Sequence, residues 1–387
     1  MATYRNDHIR DLNSKLLLER LIQLGPVSRA ALARQTGLTK ATVSAIIAKL
    51  ISDGLAAELG SANTSFGRKP ILLTFQRQAG FSISIDLGAD CIRALAADFL
   101  GDTLLFKEQL TPEPHLLISS LAALISSMQE AVPQTKLGLC GIALGIHGTA
   151  LQNQITFAPH YAIEHLPITE ELKQHFQVPV LVENEANLAV LGEYAFLAGS
   201  KKNIVDISIH TGIGAGLLLD GKLYTGSFGR AGEIGHTIIH PNGKKCSCGR
   251  RGCLEQYLSL PALLSDYKSR FDHLDTDYQQ FCDSLRTQKK EAVDAVYTYL
   301  FYLALCIDNI VQTYNPELII ITDCLLSDFP YLLEKLCSLC HYPSNSLDIR
   351  LSKLGRNSSL YGGIHQCSLS FLGIETLSFS NPADIPA

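Results

Sequence analysis

The chain has 387 residues, 47% hydrophobic and 18% charged, with a net charge of −5. That composition excludes a largely disordered protein, and the length exceeds one ordinary domain. The amino terminus, M-A-T-Y-R-N-D-H-I-R, has no apolar signal region, no later run is expected to span a bilayer, and 11 cysteines without a secretory signal indicate a reducing cytoplasm. Charge is unevenly spread. Residues 1–80 hold 11 Lys/Arg against 5 Asp/Glu, an excess of +6 that leaves −11 on the remainder. A basic head on an acidic body suits a head that meets a polyanion.

In the head, Ile9, Leu12, Leu16, Leu17, Leu21 and Leu24 recur at roughly helical spacing, which predicts a first helix over 6–24, ended by Gly25-Pro26. Ser28 stands as the N-cap of a short second helix that Gly37 closes. Thr39 caps a third, with Val43, Ile46, Ile47 and Leu50 as its buried stripe. Two helices joined by a tight glycine turn form the helix-turn-helix pattern, whose second helix enters the major groove. Beyond Gly54 the chain reads as a hairpin, a wing whose basic tip reaches phosphate or the minor groove. A helical interaction domain with a solvated charged face is the alternative; the wing and the basic excess favour DNA. The candidate DNA contacts are Arg29, Thr39, Lys40, Thr42, Ser44, Arg68 and Lys69.

From residue 81 short apolar runs alternate with helical stretches, predicting an α/β body with much of its sheet parallel. Helices are expected over 116–131, 187–197 and 291–313. The segments beginning Phe81 and Ile204 share a strand, glycine turn, strand pattern, which suggests two similar halves with a cleft between them. The expected domains are therefore 1–80, 81–200 and 201–387, and the tail after Leu372, with Pro382 and Pro386, is expected to be a loosely ordered end.

Residues 233–255 carry the most specific signal, E-I-G-H-T-I-I-H-P-N-G-K-K-C-S-C-G-R-R-G-C-L-E. Cys246, Cys248 and Cys253 crowd into eight positions, with Gly249 and Gly252 between them to permit tight turns. His236 can complete a tetrahedral Cys3His set, the closed geometry of a structural zinc. A disulfide is the alternative, although three cysteines would leave one over. Glu233 and Glu255 frame the cluster, so the knot looks like a scaffold for a polar pocket.

These motifs resemble the ROK family of bacterial repressors, open reading frames and sugar kinases, and the resemblance covers nearly the whole chain. It rests on A-G-E-I-G-H with the cysteine run, on V-E-N-E-A-N-L-A-V-L-G-E-Y, on T-G-I-G-A-G-L-L-L-D-G-K-L-Y and on Y-N-P-E-L-I-I-I. It implies an amino-terminal winged helix-turn-helix followed by a two-lobed actin-like ATPase (ribonuclease-H-like) body, and the head resembles that of the family's xylose-repressor group. It further implies that His236, Cys246, Cys248 and Cys253 bind zinc, and that Asn184, Glu185, Glu233, His236 and Glu255 face a sugar. Carboxylates accept paired hydrogen bonds from sugar hydroxyls, and His236 can serve both sites through its two ring nitrogens. Read without the resemblance, Asn184, Glu185 and Asn187 simply start a helix after a strand.

The sequence departs from the family's kinases at four places. Glu185 stands where they have an Asp as general base, and an added methylene displaces a group whose work depends on position. Asp90 replaces a hydroxyl residue in the first phosphate loop, Asp86 to Asp90, and its charge repels triphosphate. His210 replaces a glycine before T-G-I-G, and Thr322 to Leu325 replaces a glycine-rich turn. The resulting expectation is a sugar-responsive transcriptional repressor of carbohydrate-utilisation genes, with xylose the first candidate inducer. It would act as a homodimer (a tetramer is the alternative) on operator DNA in the cytoplasm, with a structural zinc, no ATP, no catalytic residue and no membrane. A sugar kinase carrying a DNA-binding head, and a repressor governed by a protein partner, are the rivals. Residues Ala158-Pro159-His160-Tyr161 are a candidate for choosing the sugar.

Overall fold

The computed structural model describes residues 2–61, 70–159, 161–197, 200–270, 276–341 and 347–379. They form two compact units: unit 1 is Met1–Leu144, Leu166–Val182 and Gly363–Ile385, and unit 2 is Gly145–His165, Glu183–Gly362 and Pro386–Ala387. The expected cuts at 80 and 200 fall elsewhere. Residues after Glu183 pack as a helix on the strands that follow 204, which draws them into unit 2.

The amino-terminal end of unit 1 is built from helices α1 (Ala2–Leu24), α2 (Arg29–Thr36) and α3 (Lys40–Ser52) and a sheet of β1 (Val27–Ser28), β2 (Ala56–Ser61) and β3 (Ile71–Phe75) in the order β1-β3-β2. The capping expected from sequence is present. Ser28 Oγ accepts from the Ala31 N–H (3.2 Å), Thr39 Oγ1 accepts from the Thr42 N–H (3.1 Å), and Gly37 closes α2 at φ 71°. Such a cap is worth about 1 kcal/mol. Val43, Ile46, Ile47 and Leu50 bury against Leu17, Leu18, Leu21 and Leu32. Two members of the expected first-helix stripe do not: Leu12 is 52% and Leu24 42% exposed, while Leu18, which the pattern omitted, is buried, and the Ile9 side chain lies outside the described residues.

Unit 1 continues with β4 (Gly80–Leu87), β5 (Cys91–Asp98), β6 (Thr103–Leu110), α4 (Leu117–Ala131), β7 (Gly138–Ile146), α5 (Ile168–Phe176) and β10 (Val180–Asn184), after the small hairpin of unit 2 made by β8 (Thr149–Leu151) and β9 (Gln154–Phe157). Its sheet runs β10-β7-β4-β5-β6, with β4 buried along its whole length. Unit 2 holds α6 (Glu185–Phe196), β11 (Ile204–Ile209), β12 (Ile213–Leu219), β13 (Lys222–Leu223), α7 (Glu255–Leu258), α8 (Leu260–Ser269), α9 (Tyr278–Arg286), α10 (Lys290–Tyr314), β14 (Leu318–Asp323), α11 (Cys324–Asp328), α12 (Leu332–Leu339), β15 (Asp348–Leu351) and the start of α13 (Ser358–Leu372). Its sheet runs β13-β12-β11-β14-β15. Each sheet thus begins as a three-strand meander, places its fourth strand beside the first, and adds the fifth outside the fourth. The two halves share one topology, as the strand, glycine turn, strand repeats suggest.

Parallel and antiparallel pairing are mixed. In unit 2, β11–β14 and β14–β15 are parallel, but β11–β12 and β12–β13 are antiparallel, as are β4–β5 and β5–β6 in unit 1. Only short turns join the meander strands, and a parallel neighbour would need a long crossover instead. The sequence expectation about membranes also needs a correction. By length and composition α10 could cross one, yet its Leu300, Leu303, Ile307 and Ile310 lie inside the unit 2 core with strands β11 and β14. A buried core helix meets the same criteria. Finally, residues 373–379 are not a loose end: Ile374, Leu377 and Phe379 are buried.

Candidate functional site

The metal-ligand set forms where a short helical turn, Ile234–His236, meets the cysteine loop that leads into α7. Bridges Ile238 to Cys253 and Lys245 to Arg251 zip the loop closed, and Gly249 (φ 85°) and Gly252 (φ 79°) take its left-handed corners. A side chain at Gly252 would sit 1.7 Å from the His240 carbonyl oxygen, so no other residue fits there. His236 Nδ1 lies 3.6 Å from Cys246 Sγ, Cys248 Sγ lies 3.6 Å from Cys253 Sγ, and all four ligand atoms fall within 4.8 Å of one another. Ligand atoms on one tetrahedral zinc are about 3.5–3.8 Å apart, given bonds of ~2.0–2.3 Å. A sulfur pair at 3.6 Å is far from the ~2.05 Å of a disulfide, and all three cysteines are free, which closes that alternative. The cluster can therefore hold a metal ion.

The thiols are electrostatically unequal. Burial raises Cys248, but the backbone and guanidinium of Arg250, with Cys246 and Cys253, outweigh it and bring the thiol down to about 6. Burial and the contacts with Cys248 and Cys246 push Cys253 up to about 12. A cation among them would favour the thiolate at all three.

Beside the cluster lies a pocket lined entirely from unit 2. Glu233 precedes the His236 turn, Glu255 starts α7 two residues after Cys253, and Glu185 starts α6 after β10. The turn between β11 and β12 adds His210 and Gly212, and the β8–β9 hairpin region adds His147, Phe157 and Pro159. A Cβ on Gly212 would come within 2.9 Å of Glu255 Oε2, so the bare backbone there leaves room for that carboxylate. His236 turns Nδ1 to the cysteines while Nε2 sits 3.9 Å from Glu233 Oε2. The two-sided use of this imidazole, foreseen from sequence, is thus geometrically available. Burial raises the Glu233 carboxyl; His236 opposes, the negative Glu255 adds, and Arg230 opposes.

Asn184 is more committed than expected. Its Oδ1 caps α6 by accepting from Ala186 N–H (2.8 Å) and Asn187 N–H (3.2 Å), and its Nδ2 donates to the Gly148 carbonyl (2.6 Å). Asn184 thus lines the pocket while starting the helix. Of the Ala158–Tyr161 segment, Pro159 lines the pocket and His160 lies outside the described residues.

The described candidate DNA-contact residues of the head sit on or near α3 and α2. Thr39, Lys40 and Ser44 are exposed and Thr42 is half-buried. Thr39 and Thr42 hydroxyls bond each other at 2.9 Å. Arg29 pairs with Glu58 of β2 at 2.8 Å, a partner the sequence reading missed. Exposed pairs contribute only about 0–1 kcal/mol, so this one can open to a phosphate. Arg68 and Lys69 lie outside the described residues.

Sequence reasoning also missed an acidic chain behind the pocket. Ser208, a pocket residue, bridges Glu185 and Asp206 at 3.5 Å to each, and Glu193 is bonded by Ser352. Asp206 is fully buried, and its Oδ2 has no hydrogen-bond partner among the described residues. Burial, then Glu193 and Glu185, raise its carboxyl well above the usual range. The signal was an Asp in the apolar strand V-D-I-S-I. The folded state holds a proton that the unfolded chain releases above 3.8, so stability falls as pH rises from there to the raised value. Asp206→Asn mimics the protonated acid. Thermal melting should show it stabilising the chain, with a larger gain near pH ~8 than near pH ~5.5.

Residues 82–365 match the ROK family. A xylose repressor from Bacillus spizizenii is 35% identical over 363 residues, covering 92% of this chain and 94% of that protein. This chain belongs to the ROK family. Among solved structures, a ROK family transcriptional regulator, homologue of the E. coli MLC protein, matches with a TM-score of 0.79 at 25% identity over 94% of this chain and 98% of that one. A ROK family glucokinase from Streptomyces griseus, solved with glucose and AMPPNP, matches with a TM-score of 0.65 at 24% identity over 74% of this chain and 99% of its own, which shows the fold alone. The ROK body is common to both; the regulator extends over a further fifth of the chain.

Proposed function

We infer that this chain is a sugar-responsive transcriptional repressor. The observation that carries this reading is the span of the likeness: a ROK regulator matches the chain over 94% and a ROK kinase over 74%, a difference about the size of the 80-residue head. The head, residues 1–80, acts as a winged helix-turn-helix on operator DNA. Thr39, Lys40, Thr42 and Ser44 meet bases or backbone, with Arg29, Arg68 and Lys69 on phosphate or groove. The remaining residues form the ROK body. A homodimer would match the two-fold symmetry of a palindromic operator.

In the body, Glu185, Glu233, Glu255 and Asn184 hold the hydroxyls of a sugar, and His236 joins them through Nε2. D-Xylose is the first candidate, because two Bacillus relatives matched over 92% of the chain, at 35% and 33% identity, are xylose repressors. The cysteines and His236 Nδ1 hold a structural zinc. Zinc here supplies shape, fixing Glu233 and Glu255 at the two ends of its loop. Sugar releases the repressor only as far as it prefers the DNA-incompetent state, with about 1.4 kcal/mol for each tenfold preference. Free thiols throughout the chain suit a cytoplasmic site of action.

Kinase chemistry is not part of this reading. Glu185 is only 8% exposed and its longer side chain leans on Ser208, while Asp86 of the former phosphate loop is paired with Arg93. Incubation with ATP, Mg2+ and D-xylose should give no sugar phosphate. The DNA face is tested by Lys40→Ala in a duplex-binding titration at fixed salt. Removing a side chain that reads a base should cost about 1–3 kcal/mol, or roughly 5–150-fold in affinity. Unchanged affinity would place the DNA face elsewhere.

A further inference from the structure

The carboxy-terminal segment makes contacts that the repressor reading does not use. After α13 the chain turns at Gly373 (φ 65°), beside the Lys15 side chain of α1. The N–H groups of Glu375 and Thr376 then donate to one oxygen of Glu19, at 3.0 and 3.3 Å. Lys15 and Glu19 are four residues apart, so they share one face of α1. The segment is anchored from below as well. Ile374, Leu377 and Phe379 are buried, and His365 of α13 donates from Nε2 to the Leu377 carbonyl at 3.0 Å. Phe379 stands edge-on to His365 and covers Gly101, where a Cβ would lie 2.5 Å from its ring.

We propose that residues 373–379 are a strap that fixes α1 of the head to the rest of unit 1 and carries the effector signal to it. The regulatory part rests on the repressor reading. Within unit 2, α6 begins at the pocket with Glu185 and meets the first turn of α13 backbone to backbone: a Cβ on Gly192 would lie 2.0 Å from the Ser358 carbonyl oxygen, and one on Gly362 1.8 Å from that of Leu188. So close an approach leaves no slack, and displacement of α6 is felt by α13. That helix is continuous through Gly362 into Gly363, where unit 1 resumes, and it hands the chain to the strap. Pocket, α6, α13, strap and α1 are thus successive members of one connected series. Glu19 is its last link, a positioning residue that touches neither DNA nor sugar. A carboxylate shared by two backbone N–H groups is a charge-assisted interaction, stronger than a neutral one.

The test compares full-length wild type, Glu19→Ala and Glu19→Gln in two measurements. In the first, a duplex from the region upstream of the protein's own gene is titrated with each protein, with and without D-xylose, and D-xylose affinity is measured separately. Glu19→Ala should bind duplex within about threefold of wild type and keep its D-xylose affinity, while the drop in duplex affinity on adding D-xylose shrinks by about tenfold or more. Glu19→Gln, which keeps an acceptor oxygen, should fall between. An alanine variant that D-xylose releases as fully as wild type overturns the signalling role. The second measurement is amide hydrogen exchange without ligand. In Glu19→Ala, Glu375, Thr376 and α1 should lose protection together while the pocket helix α6 does not. Unchanged exchange in α1 overturns the strap itself. A wild type that ignores duplex or D-xylose would instead overturn the repressor reading, and the exchange result would still decide the strap.

Discussion

Cys248→Ser is expected to lose its metal and much of the stability of unit 2. Wild type purified without chelator should carry about one zinc per chain, and the variant less than about a tenth of that. Four ligand atoms already converge within 4.8 Å of one another, two pairs of them at 3.6 Å, and Gly249 and Gly252 take the left-handed corners of the loop. Structural zinc contributes ~10–16 kcal/mol to isolated fingers, against ~5–15 kcal/mol of total stability for a typical protein. Unit 2 has a large apolar core of its own around α10 and β11, so only part of that amount is at stake. A loss of several kcal/mol, seen as a melting temperature lower by roughly 10 °C, is the expected outcome. Cys337→Ser, at an exposed cysteine outside the cluster, is the control and should change neither zinc nor melting. Metal content by elemental analysis and a thermal scan check both. Full metal content in the Cys248 variant would mean that the cluster is not the zinc site.

Glu255→Gln should raise the D-xylose concentration needed for half-release of DNA by about 10–150-fold, while DNA affinity without sugar stays as in wild type. The carboxylate is nearly buried, faces the bare backbone of Gly212, and lies two residues from Cys253 of the metal-ligand set. Hydrogen bonds to a charged group contribute ~1.5–3 kcal/mol, and the amide retains the shape without the charge. Glu233 adds a pH signature. Burial, with Glu255 adding to it, raises its carboxyl above the usual value, so it protonates earlier than an ordinary glutamate as pH falls. Sugar response should therefore weaken on mild acidification, and Glu233→Gln should be weak at every pH. A sugar titration followed through DNA release at several pH values reads both effects.

Much of this architecture is legible in the sequence because local chemistry determines it. Ser28, Gly37 and Thr39 mark helix ends whose caps depend on neighbours within four residues. The cysteine loop is equally local, with ligands and glycines in one short stretch. What depends on distant partners was hidden. Arg29 meets Glu58 across 29 positions, Ser352 reaches Glu193 across 159, and Glu375 finds Glu19 across 356. No pattern along the chain announces such pairs. The burial of Ile374, Leu377 and Phe379 escaped for the same reason, since a proline-containing tail reads as loose unless its receiving surface is known. Strand direction was legible only in part: alternating strands and helices implied parallel pairing, which β11–β14 and β14–β15 show, whereas the meander pairs closed by short turns are antiparallel, and β4 and β11 read as buried runs because they are central. Asp206 lay in plain view inside such a run, and only its depth and its acidic neighbours give it meaning.

The most direct measurement is fluorescence anisotropy on a duplex from upstream of the protein's own gene, at fixed salt, titrated with a panel of sugars that includes D-xylose. Salt must be held because phosphate contacts make affinity strongly dependent on ionic strength. Tight binding that one sugar reverses, in the zinc-loaded protein, is the predicted result. Tight binding that no sugar alters would contradict the sugar-responsive pocket, and no binding at all would contradict the repressor itself.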